Sequence, residues 1–362
     1  MLLPNRLFQV LLATTLLVGF ALAGRPAHAQ SDDGLETVFY TISSESSYES
    51  FEAHREQVSV VGPQTFEVDG DGMVWGDVSR QLIEQAQASG TRVVPLVVNP
   101  GFDQEMVHEL LTDTTAQHRA ISMMIDYAEQ YDFDGWQFDF ENIRATDRDR
   151  YTAFCERAAG AFEEAGLEFS IAMVPRNSNV PGPTSYHRWI YKNWRGPFDL
   201  GALADTADFL SLMTYDQHTR GTTPGPISGV PWVESIIQYA LDQGVPPEKL
   251  SLGIPLYSGH WQPYYSEESG AGATRNGVTY EEVQRLRARY DAELQWNDTQ
   301  KVHHTHWTHG GVFEYLFVED RRSFRAKLEL VREYDLRGFS SWRLGQEDPD
   351  IWTYLKQSVN VR

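Results

Sequence analysis

The sequence predicts an α/β protein, a (β/α)8 TIM barrel with a small α+β insertion between its seventh and eighth strands. Eight short apolar runs recur along the chain, and helical patterns separate most of them. Eight is the number of parallel strands that closes such a barrel. The last two runs lie about 80 residues apart, too far for one helix and a turn, which predicts the insertion.

The eight predicted strands are apolar and rich in β-branched residues, as strands buried on both faces are. They cover Glu36–Ile42, Val58–Val61, Arg92–Val98, Gly135–Glu141, Glu168–Val174, Asp208–Tyr215, Leu250–Leu256 and Arg337–Leu344. An open doubly wound sheet is the competing architecture. It usually carries a glycine-rich phosphate loop after an early strand, and the sequence has none.

Helical segments fill the intervals between the strands. One set of apolar residues recurs at i, i+3, i+4 and i+7, namely Ile121, Met124, Ile125 and Ala128. Thr146 and Asp149 resemble a capping box that would open the helix after the fourth strand. Gly244 is a natural C-terminal stop for the helix before the seventh strand. Strands alternating with helices predict a parallel sheet.

The insertion is expected over about residues 257–320 and contains a predicted hairpin around Gly310 and Gly311. This hairpin holds a cluster of histidines, His303, His304, His306 and His309. A cluster of this kind suggests metal ligands. On a hairpin only His304 and His306 share a face locally, so we expect an exposed hairpin near the cleft and no metal site.

The first 29 residues are predicted to be a secretory signal peptide. Arg6 precedes an apolar run, and Ala27–Ala29 form a small-x-small cleavage site. The barrel domain would then span residues 30–362 of a secreted or periplasmic protein. An uncleaved membrane anchor is the alternative, because the apolar run is slightly long for a signal.

The chain is acidic, with a net charge of −21. Removing residues 1–29 takes away two arginines and no acids, so the net charge becomes −23. Such a surface repels nucleic acid and anionic membranes. Cys155 is the only cysteine, which excludes an intramolecular disulfide and a cysteine-based zinc site. Its helical neighbours predict a buried thiol. We expect a monomer.

The fourth predicted strand, FDGWQFDFEN (Phe133–Asn142), alternates aromatic and polar residues. Aromatic residues occupy one face and polar residues the other, with Gln137, Asp139 and Glu141 on the polar face. A closed barrel has no solvated face, so carboxylates that point inward are costly to bury, and this cost indicates a function for them. Two carboxylates two residues apart lie about 6 to 7 Å apart, and each raises the pKa of the other. This pairing predicts acid catalysis at the carboxyl end of the strand.

The segment Asp134–Glu141, DGWQFDFE, resembles the D-x-x-D-x-D-x-E signature of family 18 glycoside hydrolases, the chitinase-like barrels, with Gln137 in place of the middle acid. Leu212–Asp216, LMTYD, resembles the sixth-strand M-x-Y-D of that family. Ser340–Trp352 resembles its eighth strand. The resemblance covers essentially the whole mature chain and is nearest to the bacterial spore-coat and germination hydrolases, in which an amide is common at the position of Gln137.

The resemblance implies roles for individual residues. Glu141 would protonate the leaving glycosidic oxygen, Asp139 would orient the 2-acetamido group of the substrate, and Tyr215 would hydrogen-bond the acetamide oxygen. The implied substrate-binding residues are Gln137, Asp216, Trp342 and Met213. No cofactor or metal is implied.

Further residues have two interpretations each. Asn99 ends the third strand and could contact the substrate or form a turn. Arg176, after the fifth strand, has the same two interpretations. Tyr257 and Trp261, after the seventh strand, could be sugar platforms or could pack inside the insertion.

The family resemblance implies a secreted, retaining glycosidase that acts on N-acetylglucosamine-containing glycan, either peptidoglycan or chitooligosaccharide, through an oxazolinium intermediate. A catalytically silent glycan-binding barrel is the first alternative, and the presence of Glu141, Asp139 and Tyr215 argues against it. A peptidoglycan-remodelling lyase on the same barrel is the second.

Overall fold

The computed structural model describes residues 34–219, 222–266 and 270–361, and the predicted signal peptide lies outside these ranges. The strands, in chain order, are β1 (Gly34–Thr41), β2 (Val60–Val68), β3 (Val74–Gly76), β4 (Arg92–Val93), β5 (Leu96–Val98), β6 (Gly135–Asp139), β7 (Glu168–Met173), β8 (Phe209–Leu212), β9 (Leu250–Pro255), β10 (Ser258–Ser266), β11 (Gly270–Val278), β12 (Gln295–Asn297), β13 (Val302–His309), β14 (Val312–Val318), β15 (Gly338–Trp342) and β16 (Asn360–Val361).

The main sheet closes into the predicted eight-stranded parallel barrel. Barrel strands one to eight are β1, β2, the interrupted pair β4 and β5, β6, β7, β8, β9 and β15. Closure comes from β1, which pairs in parallel with β15 on one side and with β2 on the other. The barrel therefore has no free edge and no wet face.

The second and third barrel strands differ from the sequence-based prediction. The second strand runs to Val68, seven residues beyond the predicted end, because Gly62 and Pro63 continue the strand rather than end it. A register irregularity follows between Gln64 and Phe66. The third strand is interrupted between Val93 and Leu96, because Pro95 has no N–H to donate in a hydrogen bond to a neighbouring strand.

Helices follow most of the barrel strands. They are α1 (Glu45–His54), α2 (Arg80–Ser89), α3 (Gln104–Thr112), α4 (Thr114–Tyr131), α5 (Arg148–Ala165), α6 (Ser185–Ile190), α7 (Leu200–Thr206), α8 (Val230–Asp242), α9 (Tyr280–Tyr290), α10 (Arg321–Glu333) and α11 (Asp350–Ser358).

The structure confirms two of the three helix features that the sequence predicted. The apolar stripe predicted at Ile121 lies in α4 and packs on the barrel. Gly244 follows α8 with φ of 86°, a left-handed conformation that favours glycine. The capping box predicted at Thr146 is wrong. Helix α5 begins at Arg148 after a short 3₁₀ turn, and the carboxylate of Asp147 binds His108 and Arg150 instead.

The segment between the seventh and eighth barrel strands forms the predicted insertion, here called the insert (residues 257–320). Its antiparallel sheet has the order β11, β10, β14, β13, β12, and α9 packs against one face. The predicted hairpin is present: β13 pairs with β14, and Gly310 and Gly311 turn between them at φ of 60° and 83°. Positive φ at both positions of a two-residue turn suits glycine.

A charged network closes the amino end of the barrel. Glu36, at the start of β1, forms ion pairs with Arg92 and Arg337, and Arg92 also pairs with Glu168. Burial alone would raise the pKa of Glu36, but the charges of Arg337 and Arg92 outweigh burial and hold that pKa below its usual value. Above this network, apolar side chains such as Val38, Val60 and Leu96 fill the barrel interior.

The predicted buried thiol is also present. Cys155 is fully buried on α5, and burial raises the pKa of its thiol well above the ordinary value. Within the parts of the chain that the structure describes, none of the helices combines the length and apolar character that a membrane crossing requires.

Replacing Arg337 by glutamine is expected to lower the free energy of unfolding by about 3 kcal/mol, because the buried carboxylate of Glu36 would keep only one guanidinium partner. Urea denaturation at pH 7 measures this loss. Arg325→Gln is the matched control, since its pair with Glu329 is solvent-exposed and should cost less than about 0.5 kcal/mol. Equal losses in the two variants would contradict a stabilising role for the network.

Candidate active site

The fourth barrel strand presents its aromatic and polar residues to opposite faces, as the sequence predicts. Trp136, Phe138 and Phe140 are fully buried in the core between the barrel and the helices. Strand β6 ends at Asp139, so Glu141 lies two residues beyond the last strand residue. The two carboxylates therefore stand at the carboxyl end of the barrel.

Asp139 is buried and poorly compensated. It is only 3% exposed, and its Oδ2 accepts a hydrogen bond of 2.9 Å from Nε2 of Gln64. Its Oδ1 is buried and accepts no hydrogen bond. Burial raises the pKa of Asp139 to about 6, and the hydrogen bond from Gln64 opposes part of that rise. The carboxyl group is therefore able to change its protonation state near neutral pH.

Glu141 is held through its backbone by the side chain of Asn99. The Glu141 N–H donates to Oδ1 of Asn99 at 3.0 Å, and Nδ2 of Asn99 donates to the Glu141 carbonyl at 3.0 Å. The same Nδ2 donates to the carbonyl of Asp103. Asn99 is 1% exposed and its amide is occupied. The structure thus places Asn99 against the main chain of Glu141, whereas the sequence left substrate contact and a turn as its two interpretations.

The pKa of the Glu141 carboxyl is raised well above its ordinary value. Burial is the largest cause, and the negative charges of Asp139 and Asp216 add to it. A carboxyl of this kind keeps its proton near neutral pH and is suited to act as an acid. Asp139 accepts a hydrogen bond from Gln64 that favours its ionised form, whereas the nearby negative charges favour the protonated form of Glu141.

Gln137 lies one inward position below Asp139 and is 1% exposed. Its Nε2 donates to Ser170 at 2.9 Å, and its Oε1 is buried without a hydrogen-bond donor. The amide does not bond Asp139 in this structure. The same level of the barrel interior contains Tyr40, whose hydroxyl donates to Ser211 at 2.9 Å. Neutral polar groups therefore underlie the carboxyl pair.

The sixth barrel strand brings further predicted residues to the same place. Tyr215 is partly buried, and its pKa is raised well above the ordinary value by burial, with smaller effects from Tyr40 and Asp139. Its hydroxyl is therefore a hydrogen-bond donor at neutral pH. Met213 is buried, and its N–H donates to Met173.

Asp216 connects the sixth strand to the insert. Its Oδ1 lies 2.7 Å from Nη2 of Arg275 on β11 and accepts a hydrogen bond of 2.5 Å from the Tyr257 hydroxyl. Tyr257 is only 7% exposed, so it offers little ring surface to a sugar. Trp261 is fully buried and donates to the carbonyl of Gly225. Its burial supports the interpretation in which Trp261 packs inside the protein and does not serve as a sugar platform.

Trp342, at the end of β15, is partly exposed at the mouth of the barrel. Its ring lies 5.9 Å from that of Tyr40 and packs against the apolar barrel interior. The peptide bond to Arg343 is cis. The indole is thus a partly exposed aromatic surface that packs against the barrel interior.

The sequence analysis missed two residues of the site, Gln64 and Tyr40. Gln64 lies in the part of β2 that the prediction left out, since Gly62 and Pro63 suggested a strand end. Continuing the alternation of β2 through that dipeptide would have placed Gln64 on the inner face with Val60. Tyr40 follows Glu36 and Val38 on the inner face of β1, so its inward position was readable from the pattern.

The histidines of the insert do not assemble a metal site. His303 bonds Asp320, His304 bonds the carbonyl of Gln295, and His309 bonds Glu314. Over the described ranges, no group of three or more His, Cys, Asp or Glu side chains is arranged to hold a metal ion.

A closed barrel with two carboxyl groups at the carboxyl end of its fourth strand, a tyrosine donor and a tryptophan at the mouth is the arrangement of a barrel glycosidase. The family model "Glycosyl hydrolases family 18" matches residues 81–347, and the chain belongs to this family.

Two curated relatives come from Bacillus subtilis (strain 168). The "Cortical fragment-lytic enzyme" is 29% identical over 283 residues, which cover 78% of this chain and 63% of the relative. The "Putative sporulation-specific glycosylase YdhD" is 29% identical over 285 residues, covering 74% of this chain and 62% of the relative. The chain thus spans less than two thirds of the length of these relatives.

Solved structures share the fold. The spore cortex-lytic enzyme SleL of Bacillus megaterium QM B1551 superposes with a TM-score of 0.81 at 22% identity, covering 92% of this chain and 76% of that one. A chitinase from Chromobacterium violaceum ATCC 12472 superposes with a TM-score of 0.79 at 24% identity, covering 91% of this chain and all of that one.

Replacing Gln64 by leucine is expected to raise the pKa of Asp139 above about 6, because the variant loses the hydrogen bond that stabilises the ionised carboxylate. Carbon-13 NMR titration of the Asp139 carboxyl, assigned with Asp139→Asn, measures the shift. Gln104→Leu is the control, since the Gln104 amide bonds Asn142 and Asn193. A pKa that is unchanged or lower in Gln64→Leu would contradict this account.

Proposed function

We propose that the protein is a secreted, retaining glycosidase that hydrolyses N-acetylglucosamine-containing glycan, peptidoglycan or chitooligosaccharide, with the help of the substrate's own acetamido group. The observation that carries the proposal is the pair of buried carboxyl groups at the end of the fourth strand, where Gln64 hydrogen-bonds Asp139 and the charges of Asp139 and Asp216 favour the protonated form of Glu141. The substrate-assisted route needs one acid that donates a proton and one carboxylate that does not attack the sugar.

In the first step, Glu141 gives its carboxyl proton to the glycosidic oxygen as the bond from that oxygen to the anomeric carbon breaks. The carbonyl oxygen of the 2-acetamido group forms the new bond to the anomeric carbon. Asp139 orients the acetamide N–H and stabilises the positive charge of the resulting oxazolinium. The unpartnered Oδ1 of Asp139 is the acceptor available for that N–H.

Tyr215 and Trp342 would hold the sugar during this step. The Tyr215 hydroxyl stays protonated and can donate to the acetamide oxygen. The exposed part of the Trp342 indole suits the apolar face of a pyranose ring. Asp216 would hydrogen-bond the sugar, and Tyr257 and Arg275 hold its carboxylate in place.

In the second step, a water molecule attacks the anomeric carbon from the side that the leaving group vacated. Glu141, now ionised, takes a proton from this water, and the acetamide carbonyl leaves the anomeric carbon. Two displacements at one carbon retain the anomeric configuration. Asn99 fixes the backbone of Glu141 through both steps and is a positioning residue in this scheme.

Export and substrate rest on separate observations. The predicted signal peptide supports a secreted or periplasmic location. The relatives include both cortex-lytic enzymes and chitinases, which supports an amino-sugar polymer, either peptidoglycan or chitooligosaccharide, as the substrate.

Replacing Glu141 by glutamine is expected to lower the rate by about 100-fold to 10,000-fold, because an amide cannot supply the proton. Release of reducing ends from chitin oligomers and from peptidoglycan, with mass spectrometry of the products, measures the loss. Thermal unfolding should show an intact fold, since a neutral side chain suits a site where burial disfavours the charged form.

Glu105→Gln is the control for this variant, because Glu105 is an exposed carboxylate at the start of α3. Equal activity in the wild type and Glu141→Gln would exclude Glu141 as the acid. A wild type that binds glycan without cleaving it would favour a silent glycan-binding barrel. An anhydro product or an inverted anomer would indicate a different reaction on the same fold.

The rate of the wild type is expected to fall as the pH drops through about 6, because Asp139 takes up a proton there. Replacing Gln137 by aspartate places a second carboxyl group beside Asp139, and a like charge raises the pKa of its neighbour. The acid limb of the kcat profile should therefore move to higher pH. Measurement of kcat between pH 4 and 8 tests this shift, and an unchanged profile would show that Gln137 has only a structural role.

A further inference from the structure

The chain between the fifth barrel strand and α7 makes a long detour, here called the excursion (residues 174–199). It contains α6 and a π-helical turn, Tyr191–Arg195. The excursion contacts the segments that follow two other barrel strands, the third and the sixth. These contacts are Phe102 with Trp194, Gln104 with Asn193, and the hydroxyl of Tyr186 with that of Thr219 at 3.4 Å. It therefore borders the end of the barrel that carries the carboxyl pair.

A cavity of about 390 Å³ lies within the excursion. Arg176, His187, Tyr191 and Arg195 are among the residues that line it. The lining has two guanidinium groups and no carboxylate. In a chain with a net charge of −21, such a cavity is an unusual concentration of positive charge.

Arg176 is buried without an anionic partner. It is 4% exposed, and Nη1 donates to the carbonyl of Arg195 at 3.2 Å. Its Nε and Nη2 are buried and have no hydrogen-bond acceptor. The guanidinium lies 5.3 Å from the ring centre of Tyr239, which compensates part of its charge. Within the described part of the chain, Arg176 forms no ion pair with a carboxylate. A buried cation in this state is costly unless an anion joins it.

Arg195 has the same incomplete environment. Its Nε is buried without an acceptor, and burial lowers the pKa of its guanidinium below the usual value. Guanidinium groups bind carboxylates through paired N–H donors in a planar geometry. The unpartnered nitrogens of these two guanidinium groups are therefore donors of the kind that a carboxylate binds.

An aromatic pair is exposed on the same excursion. Tyr186 and Trp189 on α6 are 37% and 51% exposed, and their rings stack at 6.2 Å with an interplanar angle of 26°. Exposed aromatic rings of this kind suit the apolar face of a sugar. His187 lies between them in the chain and lines the cavity.

We propose that the excursion is a subsite for an acidic amino sugar whose carboxylate is bound by Arg176 and Arg195. This inference rests on the proposed glycosidase function and narrows its substrate. It selects a glycan that bears carboxylates, such as the lactyl groups of peptidoglycan, over neutral chitooligosaccharide.

The test compares two glycan strands of equal length. One is a peptidoglycan strand with free lactyl carboxylates, and the other is the same strand with those carboxylates reduced to alcohols. In Arg176→Gln and in Arg195→Gln, the ratio of kcat/KM for the acidic strand to that for the reduced strand should fall about tenfold or more. Arg188→Gln is the matched control, because Arg188 is an exposed arginine on α6, within the same excursion, and does not line the cavity.

Two results would overturn the subsite. One is an equal loss on both strands, which would indicate a structural role for the arginines. The other is an unchanged kcat/KM on both strands in both variants. Thermal unfolding of the two variants separates misfolding from lost recognition, and Arg195, which is less buried than Arg176, provides the variant with the smaller risk to the fold.

A binding measurement keeps the subsite separate from the proposed function. Calorimetric titration should show that the full chain binds N-acetylmuramic acid more tightly than N-acetylglucosamine, and that Arg176→Gln loses this preference. If the preference is present but neither strand is cleaved, the glycosidase proposal fails and the subsite stands. If acetate or sulfate binds as tightly as the acidic sugar, the cavity is a site for small free anions and the glycan subsite is excluded.

Discussion

The pairing of β1 with both β2 and β15 closes the sheet, and this closure determines how every inward polar group must behave. A closed barrel of eight strands leaves no water-filled face, so its interior must be packed or internally hydrogen-bonded. At the amino end, Glu36 meets two arginines. At the carboxyl end, Gln137 and Asp139 each keep a buried oxygen without a donor. These two unpartnered oxygens lie on the strand that carries the carboxyl pair.

Closure also sets the proton affinities of the two acids. Removing water from carboxyl groups favours their neutral forms, and two acids close together raise the pKa of each other. Asp139 keeps one hydrogen bond from Gln64, which favours its ionised form, whereas the charges around Glu141 all favour its protonated form. The difference in partners therefore divides the roles between two chemically similar groups. The backbone bonds of Asn99 to Glu141 add geometric control without changing either charge.

The barrel and the insert were predictable because buried parallel strands appear in the sequence as apolar runs with a regular spacing. The sequence predicted the positions of Asp139 and Glu141 because alternation along a strand survives into the fold. It failed where backbone geometry decides: Gly62 and Pro63 continue β2 and carry Gln64 inward, and α5 starts after a 3₁₀ turn. The orientation of Asn99 and the cavity around Arg176 depend on how loops from distant parts of the chain meet, which no local pattern encodes.

The mouth of the barrel is bordered by two additions that are separate in the chain, the excursion after the fifth strand and the insert after the seventh. Each leaves and rejoins the barrel at fixed strand ends, and neither contributes a strand to the closed sheet. In the proposed scheme, recognition of the polymer and cleavage of the bond are therefore encoded in different segments. Variation in residues 174–199 would then change the polymer bound while the barrel and its acids stay the same, a division that suits both evolutionary diversification and the grafting of loops between relatives.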